Sequence, residues 1–381
     1  MDISDQGRFK LGSEKLLSRT AAISVDGATL PAANSQQPRM EWTSKNPNCS
    51  DNEFKFPVFV RAYSVILVLG IIGNTVALYV FLKLTQRKTA STVFMINLAI
   101  SDLFFTLTLP YRITYYVQRD WNLGSFLCRI TTYAFYVNLY SSIFFLTALS
   151  IFRYIAILHP IWSRRAVTVW KSLWVSLGIW IFIGLVSVPF LLAASKCENG
   201  TCRCFEPSNM SWAQIQKMNY FAFVVGFLIP FVTILICYVR IIHRLMGLVS
   251  TMRANGRSRR KSMYMIIIVL SSFLFCFLPY HVIRTVHLHF MAQGGCGATA
   301  WFLQRAIVVT VCLAAANSCL NPLLYYFAGE NFQNALKTTM ILKSRSASSG
   351  SVVFLDQSPF TAPASPNDRD PLSGTCHEQN C

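Results

Sequence analysis

Seven long apolar runs, separated by short polar connections, occupy the middle of the chain. Each run reaches the length of about 20 residues that an α-helix needs to cross the hydrocarbon core of a bilayer. The connections hold turn or charge signals, for example Gln86-Arg87-Lys88 and Gly294-Gly295-Cys296-Gly297. The third and sixth runs are long, which indicates tilt or protrusion from the membrane. The predicted spans are residues 56–82, 91–117, 126–158, 169–194, 220–245, 263–291 and 301–327.

The pattern predicts an all-α membrane protein with four parts. Residues 1–54 form a polar outer tail without the apolar core of a cleavable signal peptide, so we expect the first span to act as its own signal-anchor. Residues 55–328 form the seven-helix bundle, and residues 344–381 form a polar cytoplasmic tail; both tails are expected to be disordered. Between bundle and inner tail, residues 329–343 are predicted to form a short amphipathic helix on the inner leaflet, with Phe332, Leu336 and Met340 on its apolar side.

Composition and charge exclude a soluble enzyme and assign the orientation. Hydrophobic residues make up 53% of the chain and charged residues only 13%, whereas a soluble surface of this size would carry more charge. The net charge of +18 would suit nucleic acid in a soluble protein. Here fourteen Lys and Arg residues lie in three alternate connections that hold no acid, and the other connections hold three acids, Asp120, Glu198 and Glu206. This asymmetry predicts basic loops inside, an extracellular N-terminus and no nucleic-acid partner.

Sequons and cysteines agree with that orientation. The N-glycosylation sequons at Asn48, Asn199 and Asn209 all fall on segments assigned to the outside. Six cysteines also face the oxidising side, and they allow fifteen disulfide connectivities among which spacing does not choose. A zinc site on three of them is the disfavoured alternative. The six are Cys49, Cys128, Cys197, Cys202, Cys204 and Cys296.

Polar residues inside the spans carry a family resemblance, because such groups are costly in a membrane and usually mark function. In chain order they are Gly73-Asn74, Asn97-Leu-Ala-Ile-Ser-Asp102, Phe152-Arg153-Tyr154, Trp180, Pro230 with Tyr238, Phe273-x-x-Cys276-Phe-Leu-Pro279-Tyr280-His281 and Asn317-x-x-x-Asn321-Pro322-x-x-Tyr325. Together they resemble the class A (rhodopsin-like) G-protein-coupled receptors over residues 55–342. A transporter would show pseudo-symmetric halves, which an odd count of seven without repeats does not.

Further segments are similar to the cysteinyl leukotriene receptors, with features of both subtypes. They are Asn138-Leu-Tyr-Ser-Ser142, Cys204-Phe-Glu-Pro207, Arg284-Thr-Val-His-Leu-His289 and Asn321-Pro-Leu-Leu-Tyr-Tyr-Phe-Ala-Gly-Glu-Asn-Phe332. The resemblance implies a plasma-membrane receptor for cysteinyl leukotrienes that signals through a Gq-family G protein to calcium, with arrestin and receptor kinases as further partners beside membrane lipid. It also implies the disulfides Cys128–Cys204 and Cys49–Cys296, which leaves Cys197 and Cys202 either paired locally or free.

The outer ends of the spans indicate an anionic ligand. Four cations lie there with no acid at comparable depth, and a guanidinium near hydrocarbon needs a partner: Lys55, Arg112, Arg284 and Arg305. Snorkelling to headgroups is the alternative and suits Lys55 and Arg305. Three phenols are expected to line the same pocket: Tyr136, Tyr140 and Tyr280. Apolar walls, phenols and arginines suit a fatty-acid derivative, and also a nucleotide or small dicarboxylate. Phe135 stands where an amine receptor would carry an acid.

The resemblance also assigns a switch. The family's sodium pocket, an allosteric ion site rather than a cofactor, matches Asp102, Asn138, Ser142, Asn317 and Asn321. The activation residues match Arg153, Tyr238, Phe273, Phe277, Pro279, Pro322 and Tyr325. Two departures stand out: Phe277 replaces the usual Trp, and Phe152 replaces the acid that precedes the Arg in most of the superfamily. An enzyme is not expected, since the histidines at positions 281, 287 and 289 have no carboxylate near them in sequence.

Overall fold

The computed structural model describes residues 53–85, 88–191, 196–198, 201–205, 212–247, 256–328 and 332–333. Within these ranges, seven helices are long and apolar enough to cross a membrane, as predicted. In a bilayer every backbone N–H and C=O must be bonded internally, and the helix is the element that does so within one segment. The spans are α1 Lys55–Leu84, α2 Ala90–Gln118, α3 Gly124–Leu158, α4 Val169–Val186, α5 Trp212–Met246, α6 Ser262–Ala292 and α7 Ala298–Phe327.

Two of the predicted boundaries were wrong. The fourth span ends at Val186 instead of residue 194, and a single 3₁₀ turn, Val188–Leu191, follows it. Pro189 lies in this turn, and proline has no N–H with which to continue the helix. The fifth span begins at Trp212, eight residues before the predicted start at residue 220, because polar turns rich in Gln and Asn still form helix outside the apolar run.

Several spans depart locally from a regular α-helix. The second consists of Ala90–Thr106 and Leu109–Gln118, which meet just before Pro110. Three spans contain a π-helical segment, at Val80–Leu84, Ala222–Leu228 and Ser272–Phe277. Such segments change the angular position of the side chains that follow them on the same helix. The outer half of α6 is therefore rotated relative to the face that regular helical spacing would give.

The bundle is arranged around α3, which packs against α2, α4 and α5, while α7 packs against α1, α2 and α6. The interior contains large aromatic residues such as Phe273, Phe277 and Tyr280, each 0% exposed. Buried polar residues also cluster there, among them Asp102 and Asn138. The outward faces carry Val, Leu, Ile and Trp, in keeping with a lipid surround rather than water.

An antiparallel hairpin covers the predicted outer end of α3. Strand β1 (Lys196–Glu198) pairs with β2 (Thr201–Arg203), with Cys197 opposite Cys202. The disulfide between Cys128 and Cys204, implied by the family resemblance, is present and ties the hairpin to α3. The loop after α2 holds the hairpin from the side, because the Cys202 N–H donates to Asp120 Oδ1 at 2.7 Å and the Trp121 N–H donates to the Cys202 carbonyl at 2.9 Å.

Some predictions fall outside the described residues. These are the three sequons at Asn48, Asn199 and Asn209, both tails except for Glu53 and Phe54, and the amphipathic helix at residues 329–343 except for Phe332 and Gln333. Phe332 is buried and its ring lies 5.2 Å from that of Phe81 on α1. Cys202 and Cys296 are both disulfide-bonded, so Cys202 is not free; Cys49, the expected partner of Cys296, lies outside the described part of the chain.

Candidate functional site

Arg112, on the outer half of α2, faces the interior of the bundle. It is only 4% exposed, and its Nη2 donates to the Thr131 carbonyl on α3 at 2.8 Å. The guanidinium carbon lies 4.2 Å from the ring centroid of Phe205 and 5.4 Å from that of Phe135. Its Nε has no hydrogen-bond partner among the described residues. The predicted cation therefore lies inside the bundle and retains the capacity to bind an anion.

Arg284 projects from α6 toward the three predicted phenols. Its guanidinium carbon is 5.7 Å from the Tyr136 ring and 5.8 Å from the Tyr280 ring. Tyr140 and Tyr280 are buried, and the Tyr280 hydroxyl has no hydrogen-bond partner in the described part of the chain. Phenol rings and a guanidinium together can bind a carboxylate or phosphate through charge-assisted hydrogen bonds. Arg284 thus lies beside two of the three phenols, Tyr136 and Tyr280.

The other two predicted cations have different surroundings. The guanidinium of Arg305 stacks on Trp301 at 3.8 Å and on Phe54 at 5.0 Å. Lys55 lies 5.2 Å from the ring of its neighbour Phe56. Both cations therefore rest on aromatic rings at the ends of α1 and α7, as expected for membrane-interface anchors. Their role in ligand binding stays a prediction.

No carboxylate pairs with Arg112 or Arg284 within the ranges that the structure describes. The ion pair found there joins Arg119 and Glu53 at 2.7 Å, on exposed side chains. Phe135 occupies the position at which an amine receptor would hold an acid, and its ring contacts those of Tyr136 and Tyr280. The outer site, formed by buried Arg112, partly buried Arg284 and the rings around them, therefore combines two cationic groups with aromatic side chains. This combination favours an anionic, partly apolar ligand over an amine.

An aromatic stack surrounds His281, whose ring is next to that of Tyr280. The imidazole is 1% exposed and stacks on Phe227 of α5 at 4.6 Å. The ring of Tyr140 lies 5.8 Å away, and a Cβ added to Gly226 would come within 2.7 Å of that ring. The absence of a side chain at Gly226 is what lets Tyr140 pack this closely against α5.

Asp102 is the centre of a buried polar network in the middle of the bundle. It is 0% exposed, and its two carboxylate oxygens accept hydrogen bonds from Asn138 Nδ2 at 2.9 Å and Asn321 Nδ2 at 2.7 Å. Ser318 Oγ donates to Asn138 Oδ1 at 3.3 Å, and Asn74 Nδ2 donates to the Ser318 carbonyl at 2.9 Å. The network therefore joins α1, α2, α3 and α7.

Two predicted members of this set do not hydrogen-bond to Asp102. Ser142 Oγ and both side-chain amide atoms of Asn317 are buried and without a hydrogen-bond partner in the described ranges. Instead, Ser101 and Ser141 bond to each other at 2.6 Å beside Asn138. Unsatisfied buried polar atoms cost free energy and call for an explanation, such as a water or an ion.

Two of the predicted activation residues, Phe273 and Phe277, belong to a chain of aromatic rings between α5 and α6. Phe273 of α6 stacks with Phe227 and Phe231 of α5 at 6.2 and 6.0 Å, and its ring is 5.2 Å from that of Phe277. Pro279 opens the regular outer part of α6, and Pro322 lies inside α7, where a Cβ on Gly73 would come within 2.7 Å of its ring. Phe277 thus fills the position of the missing Trp as part of a continuous aromatic column.

At the predicted cytoplasmic end, the two tyrosines hydrogen-bond to residues other than Arg153. The Ser150 and Tyr238 hydroxyls bond to each other at 2.6 Å, and the Tyr325 hydroxyl donates to Asn74 Oδ1 at 3.5 Å. Phe152, which replaces the usual acid, packs edge-to-face on Phe94 of α2 at 4.9 Å. A hydrophobic contact between α2 and α3 therefore stands where most relatives of this superfamily would have an ion pair.

Several residues of these sites were not predicted from the sequence. Phe205 and Thr131 contact Arg112, Phe190 stacks on Tyr136 at 3.6 Å, and Ser318 and Asn74 complete the network around Asp102. Asn74 and Phe205 were noted only as parts of motifs. The others carry no signal of their own in the sequence, since they are ordinary aromatic or hydroxyl residues whose roles arise from contacts between elements.

The fold and the polar residues agree with a comparison against protein families. The model of the rhodopsin family of seven-transmembrane receptors matches residues 73–325, and the chain therefore belongs to this family of receptors, which are not enzymes. Within it, the chain is 46% identical to mouse cysteinyl leukotriene receptor 1 over 300 residues, which is 77% of this chain and 85% of that protein. It is 42% identical to human cysteinyl leukotriene receptor 2 over 329 residues, covering 86% of this chain and 92% of that protein. Chicken lysophosphatidic acid receptor 6 is 34% identical over 290 residues, covering 74% of this chain and 94% of that protein.

Proposed function

We propose that this chain is a plasma-membrane receptor for cysteinyl leukotrienes, with its N-terminus outside the cell. The observation that carries the proposal is the outer site, where Arg112 and Arg284 lie among aromatic rings with no carboxylate partner in the described ranges. Leukotrienes combine an apolar chain with carboxylates, which matches both kinds of surface. Similarity to receptors of both leukotriene subtypes supports the same ligand class.

Signalling follows from a shift between two packings of the bundle. A ligand can only favour the state to which it binds more tightly. A ligand that contacts Arg284 and Tyr280 would lie close to His281, whose ring stacks on Phe227, and Phe227 in turn packs on Phe273. We propose that rearrangement of this column moves α5 and α6 at their inner ends, and that a Gq-family protein binds there and triggers calcium release. Arrestin and receptor kinases would then act on the activated receptor.

A ligand panel tests this function. The chain is expressed in cells without such receptors, and intracellular calcium is recorded after addition of leukotrienes C and D, nucleotides or small dicarboxylates. We expect a response to the leukotrienes that a Gq inhibitor removes, and none in untransfected cells. A calcium response to nucleotides or dicarboxylates, without any response to leukotrienes, would contradict the proposed ligand. A leukotriene response that the Gq inhibitor does not reduce would contradict only the proposed Gq partner.

We further propose that the buried network around Asp102 can bind a sodium ion. The donor set fits a small hard cation, since Asp102 supplies carboxylate oxygens and Ser142 and Asn317 supply buried oxygens without partners. A buried carboxylate without a counter-ion is costly, although the amides of Asn138 and Asn321 already lower that cost. When bound, the ion would neutralise the carboxylate, and these residues would hold α2, α3 and α7 in the resting packing.

Sodium dependence checks this proposal. Replacing sodium by a bulky organic cation in the assay buffer should raise leukotriene affinity by about fivefold or more, because the ion favours the resting state. The effect should vanish in Asp102→Asn and weaken in Ser142→Ala. Ser141→Ala is the matched control, because Ser141 bonds to Ser101 and not to the carboxylate. An equal sodium effect in all three variants and the wild type would exclude this site.

A further inference from the structure

Phe205 occupies a backbone conformation that its side chain disfavours. Its φ is +69°, in the left-handed region, where residues other than Gly, Asn and Asp are uncommon. It directly follows Cys204, whose disulfide to Cys128 anchors the chain, and the hairpin before it is held by Asp120 and Trp121. Strained residues persist where the surroundings over-determine them, and such positions are often functional. This backbone conformation, anchored by the disulfide, sets the direction in which the Phe205 side chain leaves the chain.

The ring is held by aromatic neighbours on two elements. Its centroid is 5.5 Å from that of Tyr115, 6.2 Å from that of Tyr116 and 5.6 Å from that of Trp121. Trp121 is itself 2% exposed, and its indole Nε1 donates to the Gly124 carbonyl at 2.7 Å. The Phe205 ring is therefore part of a rigid cluster that joins the outer ends of α2 and α3 to the hairpin.

This ring lies against the Arg112 guanidinium. The guanidinium carbon lies 4.2 Å from the centroid of the Phe205 ring, compared with 5.4 Å from that of Phe135 on α3. A cation over an aromatic ring within about 6 Å of its centroid is attracted to the ring. Arg112 makes one strong hydrogen bond, to the Thr131 carbonyl, and no described carboxylate neutralises it. The ring thus supplies part of the compensation that a buried cation otherwise obtains from a counter-ion.

We infer that Phe205 is a positioning residue that holds the Arg112 guanidinium, without an ionic partner, ready for the anionic group of the ligand. A carboxylate at this position would quench the cation and repel the ligand, whereas an aromatic ring stabilises the charge and leaves its N–H groups available. This inference rests on the proposed function for the ligand class. It concerns a residue of the outer hairpin that contacts Arg112 rather than the ligand.

The test compares the binding of leukotriene D with that of its uncharged methyl ester in several variants of Phe205. Binding of leukotriene D and of the same molecule with its carboxylates converted to methyl esters is measured on wild type, Phe205→Leu, Phe205→Asn and Phe205→Tyr. Leu removes the ring, Asn removes it while tolerating a positive φ, and Tyr keeps it. We expect the Leu and Asn variants to lose about tenfold in affinity for the acid and little for the ester, with the Tyr variant near wild type.

Each alternative result has a definite meaning. Equal losses for acid and ester, or a Tyr variant as weak as Leu, would overturn the inference. If neither Leu nor Asn reaches the cell surface, Phe205 serves the fold of the hairpin rather than the charge of Arg112, and the inference is likewise overturned. If wild type does not bind leukotriene D, the proposed ligand is wrong, and this result is distinct from the others because wild type retains Phe205.

Discussion

Replacing Arg284 by alanine is expected to abolish the leukotriene response while leaving surface expression intact. Arg284 lies next to Tyr136 and Tyr280, where its guanidinium would pair with a ligand carboxylate partly shielded from water. Truncating one partner of such a buried, hydrogen-bonded charge pair costs about 2–5 kcal/mol, or roughly 30- to 4,000-fold in affinity. Dose–response curves for calcium release and radioligand competition measure this loss.

Arg305→Ala is the matched control for Arg284→Ala. It removes the same charged group from a neighbouring helix, but Arg305 stacks on Trp301 at 3.8 Å instead of facing the phenols. We expect its effect on leukotriene potency to stay within about threefold, in the range of rim charges that influence association more than affinity. Equal losses in the two variants would mean that overall positive potential, and not the Arg284 contact, determines binding.

Removal of the disulfide between Cys128 and Cys204 should lower the stability of the folded receptor more than any of the other substitutions proposed above. The bond closes a loop with a sequence separation of 76 residues, for which chain entropy alone gives about 4 kcal/mol. It also anchors β2 and holds the ring of Phe205 close to Arg112. In the double variant Cys128→Ala/Cys204→Ala, we expect a marked fall in the thermal unfolding temperature in detergent, together with loss of leukotriene binding.

A free cysteine provides the control for this double variant. Cys312 lies in α7, is not disulfide-bonded and is half-buried, so Cys312→Ala removes one sulfur without opening a loop. Its unfolding temperature should stay close to that of wild type, because only a small apolar contact is lost. A double variant no less stable than Cys312→Ala would show that packing of the helices, and not the cross-link, holds the hairpin in place.

The sequence predicted some parts of the site well and others poorly. Arg112, Arg284 and Asp102 were recognisable because a charged group is rare in a membrane span and marks a site wherever it occurs. Phe205, by contrast, is one of 29 phenylalanines, and its contact with Arg112 depends on the path of the hairpin and on the disulfide. Ser142 and Asn317 match the family pattern, yet their side chains make no hydrogen bond to Asp102 in this packing.

The limits of the spans show the same distinction. Apolar length predicted all seven, since the bilayer sets the number of residues needed. The early end of α4 at Val186 and the extended start of α5 at Trp212 depend on a proline and on polar turns that project beyond the apolar run. Hydrophobicity locates the membrane-embedded part of a helix but does not predict how many helical turns extend beyond the membrane.

The sequence by itself determined the seven spans, the predicted orientation from its fourteen loop cations, and the identity of the charged groups inside the bundle. Those properties depend on composition along the chain. The tertiary structure decided which rings surround each cation, placing Arg284 beside Tyr280 and Arg305 on Trp301. Those surroundings depend on how each helix is rotated about its axis. The π-helical segments and the contacts between helices determine this rotation, so it cannot be read from any single run of residues.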